Sequence, residues 1–240
     1  MKTPFAWPTG KRCALSFSFD DSRPSQLDAG LPVFAKHGFK ATFYVVPYRF
    51  EPRADEWRRA AASGHEIGNH TTTHPCSGDM EWSKHNALED YTPERMCGEL
   101  DNATKVIVEK LGVTPSTFAY PCGQRHIGRG ATRQSYEPLV NARFFYARGD
   151  EILRSPPQVL ARGSDRTSLE EMRQHLAEAQ RVEGWLILIG HEVGPESHPD
   201  PLTTLTDALD TFCRELAEKH PDVWVAPVSH IAAHIAAQRK

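Results

Sequence analysis

No stretch of about 18 apolar residues occurs in this 240-residue chain, so the sequence offers no helix able to cross a bilayer. The longest apolar run, Trp185–Ile189, has the length of a strand. A basic excess is missing too: 28 Lys and Arg stand against 31 Asp and Glu, a formal net charge of −3, which argues against a nucleic-acid partner. The adjacent Arg58 and Arg59 read as the solvated face of a helix. Cysteine is scarce: Cys13, Cys76, Cys97, Cys122 and Cys213 are odd in number, widely spaced and free of any C-x-x-C pair. That pattern predicts neither a disulfide framework nor a zinc knuckle. The start, Met-Lys-Thr-Pro-Phe-Ala-Trp-Pro, lacks the apolar core of a signal peptide. The expected location is therefore cytoplasmic, or extracellular if a leader has been removed, and no membrane partner is expected.

What is present is an ordinary globular composition, 39% hydrophobic and 25% charged, at a length that fits one large α/β domain over residues 1–240 better than two small ones. Short β-type runs alternate with helix-sized amphipathic segments, the pattern of a mostly parallel α/β fold. Strands are expected at Ala14–Phe19, Ala41–Val46, His65–Asn69, Thr117–Tyr120, Ala142–Ala147, Trp185–Ile189 and Val223–Ala226. Helices are expected at Gln26–Lys36 with a stop at Gly38, at Ala54–Ala62 and from Thr92 to about Lys110. In the last of these, Thr92 serves as N-cap and Pro93 as first helical residue. Further helices fall near Ser168–Gln180, at about Leu202–Lys219 and from Ser229. Residues 76–91 have no sustained period and read as an irregular insertion.

Four segments carry the chemistry. Asp20 and Asp21 close the first strand, at the edge where parallel α/β folds place catalytic groups. Successive side chains point apart there, so one carboxylate can bind a metal while the other takes a proton, although Asp-Asp-Ser also suits a turn or helix cap. His70-Thr-Thr-Thr-His74 puts two imidazoles at i and i+4, a spacing that on a helical turn lets both reach one ion. The same spacing in His230 and His234 is explained by an amphipathic terminal helix; what distinguishes the first pair is the preceding strand and the Pro75 that follows. His191 stands just past the apolar strand, next to Gly190, with Glu192 beside it. In Phe118-Ala-Tyr-Pro-Cys-Gly123, Pro121 and Gly123 suit either a plain turn or a loop that aims amide N–H groups at a substrate oxygen.

In this order the segments resemble the polysaccharide deacetylase (NodB-homology) superfamily, carbohydrate esterase family four, over about residues 10–230. The likeness lies in Ser18-Phe-Asp-Asp21, in His70-Thr-Thr-Thr-His74-Pro75 and in Leu186-Ile-Leu-Ile-Gly190-His191. It implies a distorted (β/α) barrel, usually of seven strands, with Asp20 as general base, Asp21, His70 and His74 as ligands of one divalent metal ion, and His191 as general acid. The turn Tyr120, Pro121, Cys122, Gly123 would supply the oxyanion-binding amide. Zinc is the first choice of ion, and cobalt, manganese or nickel suit the same donors. The chain departs from the family at Ala119, where the third motif normally begins with an arginine, and in having no clear Asp-x-x-Asp-Trp segment. Arg148, at the end of the next expected strand, is a candidate for the missing guanidinium. Arg162 and Asp165 are candidates for the mouth of the site, and Trp82 and Tyr91 for stacking on a sugar.

The function expected from this resemblance is hydrolysis of an N- or O-linked acetyl group from an oligosaccharide. A cytoplasmic enzyme does not readily meet extracellular polymer, so hydrolysis of a small cyclic amide or imide is the alternative. Ala119 leaves room for a third reading, a saccharide-binding protein without catalysis. The sequence does not fix the oligomeric state.

Overall fold

The structure is a computed structural model that describes residues 5–148 and 157–238. In chain order its strands are β1 (Cys13–Asp20), β2 (Thr42–Val45), β3 (Glu66–Asn69), β4 (Thr117–Ala119), β5 (His126–Ile127) and β6 (Gln134–Ser135). They continue with β7 (Tyr146–Arg148), β8 (Val159–Gly163), β9 (Trp185–Gly190), β10 (Glu192–Gly194), β11 (Thr203–Leu205) and β12 (Val223–Val225). The principal sheet has the order β7-β4-β3-β2-β1-β9-β8, with β12 beside β1. The fold is α/β, of the distorted seven-stranded barrel type expected from the sequence, and it falls into two compact units, with β2 passing from one to the other.

The first unit carries β1, β8, β9 and β12, and its ladders β1–β12, β1–β9 and β8–β9 are all parallel. Both faces of β1 and β9 are covered, which is why they read as largely apolar runs. Phe17 packs on Phe34 at 5.1 Å, and Phe19 stacks on Phe43 at 5.9 Å. A fully buried phenylalanine contributes about 1.5–3 kcal/mol, so this cluster fixes the position of the residues that follow β1. Gly190 ends β9 against a wall: a Cβ there would lie 2.4 Å from Thr204 Oγ1 and 2.6 Å from Ser164 Oγ, so only glycine fits immediately before His191.

The second unit carries β3, β4 and β7, again in parallel ladders, with a core that includes Tyr91, Met96, Leu100, Phe118, Tyr120, Tyr136 and Phe144. Gly68 is demanded by the Tyr44 ring, 2.5 Å from where a Cβ would be. The helix Pro93–Leu111 starts and stops as expected, with the Thr92 hydroxyl accepting from the Arg95 amide and Gly112 left-handed at φ 73°.

Three expectations are corrected. The strand placed at Ala142–Ala147 is only Tyr146–Arg148, because Glu137–Asn141 is a short helix whose C-cap is Ala142. The helix placed from Leu202 starts at Thr206, because Thr203–Leu205 pairs in parallel with Glu192–Gly194 instead. Strand β8, short and with alternating exposure, has no counterpart among the expected elements.

Candidate active site

In the first unit, Asp20 is the last residue of β1 and Asp21 turns out of the strand at φ 77°, a left-handed conformation that Asp tolerates better than most residues. Both carboxylates are buried. The Arg23 guanidinium donates through Nε and Nη2 to Asp21 Oδ2 at 3.3 and 3.2 Å and through Nη1 to Glu192 Oε1 at 3.3 Å. Ser25 holds the other oxygen of Glu192. Gln26, fully buried, donates through Nε2 to the carbonyls of Asp20 (2.5 Å) and His191 (2.8 Å), tying the end of β1 to the residue after β9.

His191 projects from the end of β9 and meets Asp165. Its Nδ1–H donates to Asp165 Oδ2 at 2.6 Å and its backbone N–H donates to Oδ1 at 3.1 Å. Thr204 donates to that same Oδ1 at 3.3 Å. A carboxylate only accepts, so the imidazole keeps its proton on Nδ1 and presents Nε2 outward. Burial works against the charged imidazolium, but the bond to Asp165 and the charges of Asp20, Asp165 and Asp21 outweigh it, and the His191 pKa is raised.

In the second unit, His70 follows β3 and His74 lies four residues on, but not on a helical turn as the spacing suggested. Thr71 and His74 are left-handed, at φ 66° and 54°. Local side chains impose this shape. Asn69 Oδ1 accepts the Thr71 amide at 2.8 Å, the Thr71 hydroxyl accepts the His74 amide at 3.0 Å, and Glu99 Oε2 accepts the amides of Thr72 and Thr73 at 2.9 and 2.8 Å. The two rings still meet, with centroids 4.8 Å apart. His70 Nδ1 donates to the Ala119 carbonyl at 2.8 Å, which fixes the tautomer and leaves Nε2 as the ligand-type nitrogen.

Tyr120 and Pro121 lead into a turn in which Cys122 and Gly123 both take positive φ, 53° and 67°. Against the expectation from cysteine spacing, Cys122 is joined to Cys76 in a disulfide. The partners are 46 residues apart, and only the packing of the 76–91 segment beside the turn brings them together. Arg148 ends β7 in direct register with Ala119, its guanidinium over the Tyr44 ring at 4.8 Å. Arg148 thus lies one strand away from the position where the third motif lacks its arginine.

Other candidates separate. Arg162 turns to a helix, pairing with Glu178 at 2.9 Å rather than lining the mouth. Tyr91 is buried, donating to Asn86 and Glu99 with Arg95 over its ring, so it anchors the loop and offers no face to a sugar. Trp82 is 55% exposed with its ring 5.9 Å from that of His74. Sequence reasoning missed Arg23, Gln26, Asn69 and Glu99. Asn69, directly before His70, carried the one local signal, since Asn favours side-chain–backbone turns.

The curated relatives include chitin deacetylase 1 of Cryptococcus neoformans var. grubii, 34% identical over 106 residues, and a peptidoglycan-N-acetylglucosamine deacetylase of Listeria monocytogenes, 28% identical over 116. These matches cover 44% and 48% of the chain but only 20% and 22% of those proteins. Gellan lyase of Bacillus sp matches 98% of the chain at 22% identity over 10% of its own length. Among solved structures, a family 4 acetyl xylan esterase from Clostridium thermocellum in complex with a cobalt ion superposes with TM-score 0.61 at 23% identity, covering 92% of this chain and 90% of that one. A Bacillus anthracis protein described as a family pseudoenzyme gives 0.60 at 17%, covering 92% and 66%. These likenesses are of fold. The family model for polysaccharide deacetylase matches residues 8–135, more than half of the 240, and the chain belongs to that family.

Proposed function

We propose that this chain is a catalytic domain that removes acetyl groups from a carbohydrate with the help of one divalent metal ion. The observation that carries the reading is the bond from His70 Nδ1 to the Ala119 carbonyl, which leaves Nε2 unprotonated as the ligand-type nitrogen of a ring that packs against His74. By the motif resemblance Asp21 would join these histidines as the third ligand of such an ion, and three protein donors would leave positions open for water and substrate. Zinc is the first choice and cobalt, manganese or nickel fit the same donors.

The ion's contribution would be to polarise the acyl carbonyl and lower the pKa of a water molecule. The protein does the rest. Asp20 accepts the proton of the attacking water, and Arg148 steadies the charge of Asp20 in place of the arginine absent at Ala119. His191, kept protonated by Asp165, delivers a proton from Nε2 to the leaving oxygen or nitrogen. The Tyr120–Gly123 turn aims the Cys122 amide at the developing oxyanion.

Ala119 favours a second reading, binding without catalysis. Against it stand the presence of Asp20, Asp21, His70, His74 and His191 in the sequence and the pairing of His191 with Asp165. A disulfide persists in oxidising compartments, so we place the working protein where Cys76–Cys122 stays closed rather than in the reducing cytoplasm. The test is metal analysis of wild type and Asp21→Ala, followed by an acyl panel. Acetate release from N-acetylated or O-acetylated oligosaccharides supports the proposal, and ring opening of cyclic amides without acetate release replaces it with the cyclic-amide reading. Saccharide binding with metal bound and no turnover of either substrate class would leave only the non-catalytic reading.

A further inference from the structure

The disulfide adjoins the proposed metal ligands. Cys76 is two residues past His74, and its sulfur is 3.8 Å from His74 Nδ1. A ring nitrogen of His74 and the sulfurs of Cys76 and Cys122 all lie within 4.8 Å of one another, with Cys76 buried and Cys122 exposed. We propose that, once the disulfide is reduced, Cys76, Cys122 and His74 form a second metal site, selective for a thiophilic divalent cation such as zinc or cobalt.

The donor chemistry is that of closed tetrahedral zinc sites, two thiolates and an imidazole, with water as the fourth ligand. Zinc–sulfur bonds of about 2.3 Å at tetrahedral angles require sulfurs roughly 3.7 Å apart. The Cα atoms of Cys76 and Cys122 are 6.2 Å apart, which side-chain rotation alone reconciles with that spacing. The backbone is held independently of the disulfide. The Cys76 amide donates to Ser83 Oγ at 3.0 Å, the Cys76 carbonyl accepts from Leu88 at 3.0 Å, and the Ser77 amide donates to Gln124 Oε1 at 2.7 Å. Opening the S–S bond therefore leaves the two cysteines side by side. A cavity of about 160 Å³ lined by Thr73, His74, Trp82 and Ser83 adjoins the His74 side of the cluster.

The chemistry balances with a phosphine. Two electrons pass from phosphorus to the S–S bond, water supplies the oxygen of the phosphine oxide, and its two protons become the two thiol protons. Metal binding then displaces the thiol protons. Because the site uses His74, it competes with the ion proposed above. That competition rests on the function reading; the thiolate site itself does not.

The test uses cobalt as probe on the full chain in a Cys97→Ser background, with Cys13 and Cys213 left buried. Protein reduced with a phosphine and desalted without air should show thiolate-to-cobalt charge-transfer absorption in the near ultraviolet, and the oxidised protein should not. Cys76→Ser and Cys122→Ser should each abolish that absorption, and alkylating the reduced protein should do so without any substitution should a variant fail to fold. Cobalt bound to reduced protein with no thiolate absorption, or absorption that survives loss of either cysteine, overturns the proposal. Failure of the deacetylase reading shows separately, as oxidised Asp21→Ala that binds cobalt like the wild type.

Discussion

The Nδ1 atom of His191 lies 2.6 Å from Asp165 Oδ2 while the His191 backbone N–H donates to the same carboxylate, so one side chain fixes both the tautomer and the position of the other. Asp165→Asn keeps an acceptor but removes the charge. The His191 pKa, now raised, should fall, and the protonated fraction at neutral pH with it. We expect kcat/KM to drop about tenfold to a hundredfold, within the range for general acids, and the alkaline limb of its pH profile to move to lower pH. NMR titration of His191 checks the cause directly; an unchanged imidazole pKa in Asp165→Asn would sink this account.

Arg23 places Nε and Nη2 on a single oxygen of Asp21 and Nη1 on Glu192. It thereby restrains the rotation of a proposed ligand carboxylate from outside the ligand set. Groups in that position are typically worth about 10–100-fold in metal affinity. Arg23→Gln should weaken the ion by that factor in a chelator competition, and Arg23→Lys should recover part of it. Equal affinities in all three proteins would show that Asp21 needs no such support.

How much of this was legible in the sequence depends on the range of the interaction concerned. β1 and β9 were readable because burial on both faces leaves apolar runs, and Ser168 and Gly112 because caps are local. His70 and His74 were readable as a pair, yet their conformation was not, since it depends on Glu99, 25 residues beyond the second histidine, accepting two amides of the intervening threonines. Strand β8 escaped because a short strand with exposed alternate residues has no apolar signature. Asp165 was readable as a candidate for the mouth, but its pairing with His191 and the Cys76–Cys122 bond were not, because both depend on which chain segments end side by side.

Arg148 lies in register with Ala119, and its guanidinium packs on Tyr44. If it carries the charge that the family places in the third motif, Arg148→Ala should lower kcat/KM by about 10–100-fold with little change in KM, the signature of a lost transition-state interaction. Ala119→Arg in the Arg148→Ala background should restore part of the rate. A fall in KM-type binding alone, with kcat intact, would assign Arg148 to substrate contact instead.

His65 governs stability rather than chemistry. It is buried beside Phe34 and Phe43, and its Nδ1 accepts the Ala41 amide at 3.1 Å, so the folded protein needs it neutral. Burial, helped by Lys40, lowers its pKa to about 4 from 6.5. The unfolded chain takes up a proton as pH falls through 6.5, whereas the folded chain resists until about 4. Its contribution is therefore complete above pH 6.5 and is lost progressively as pH falls toward 4. At pH 5 the loss should be about 2 kcal/mol relative to pH 8. Denaturant unfolding at the two pH values measures it, and in His65→Asn, whose side-chain oxygen can still accept the Ala41 amide, that part of the pH slope should vanish. The same slope in variant and wild type would mean that other groups carry the acid sensitivity.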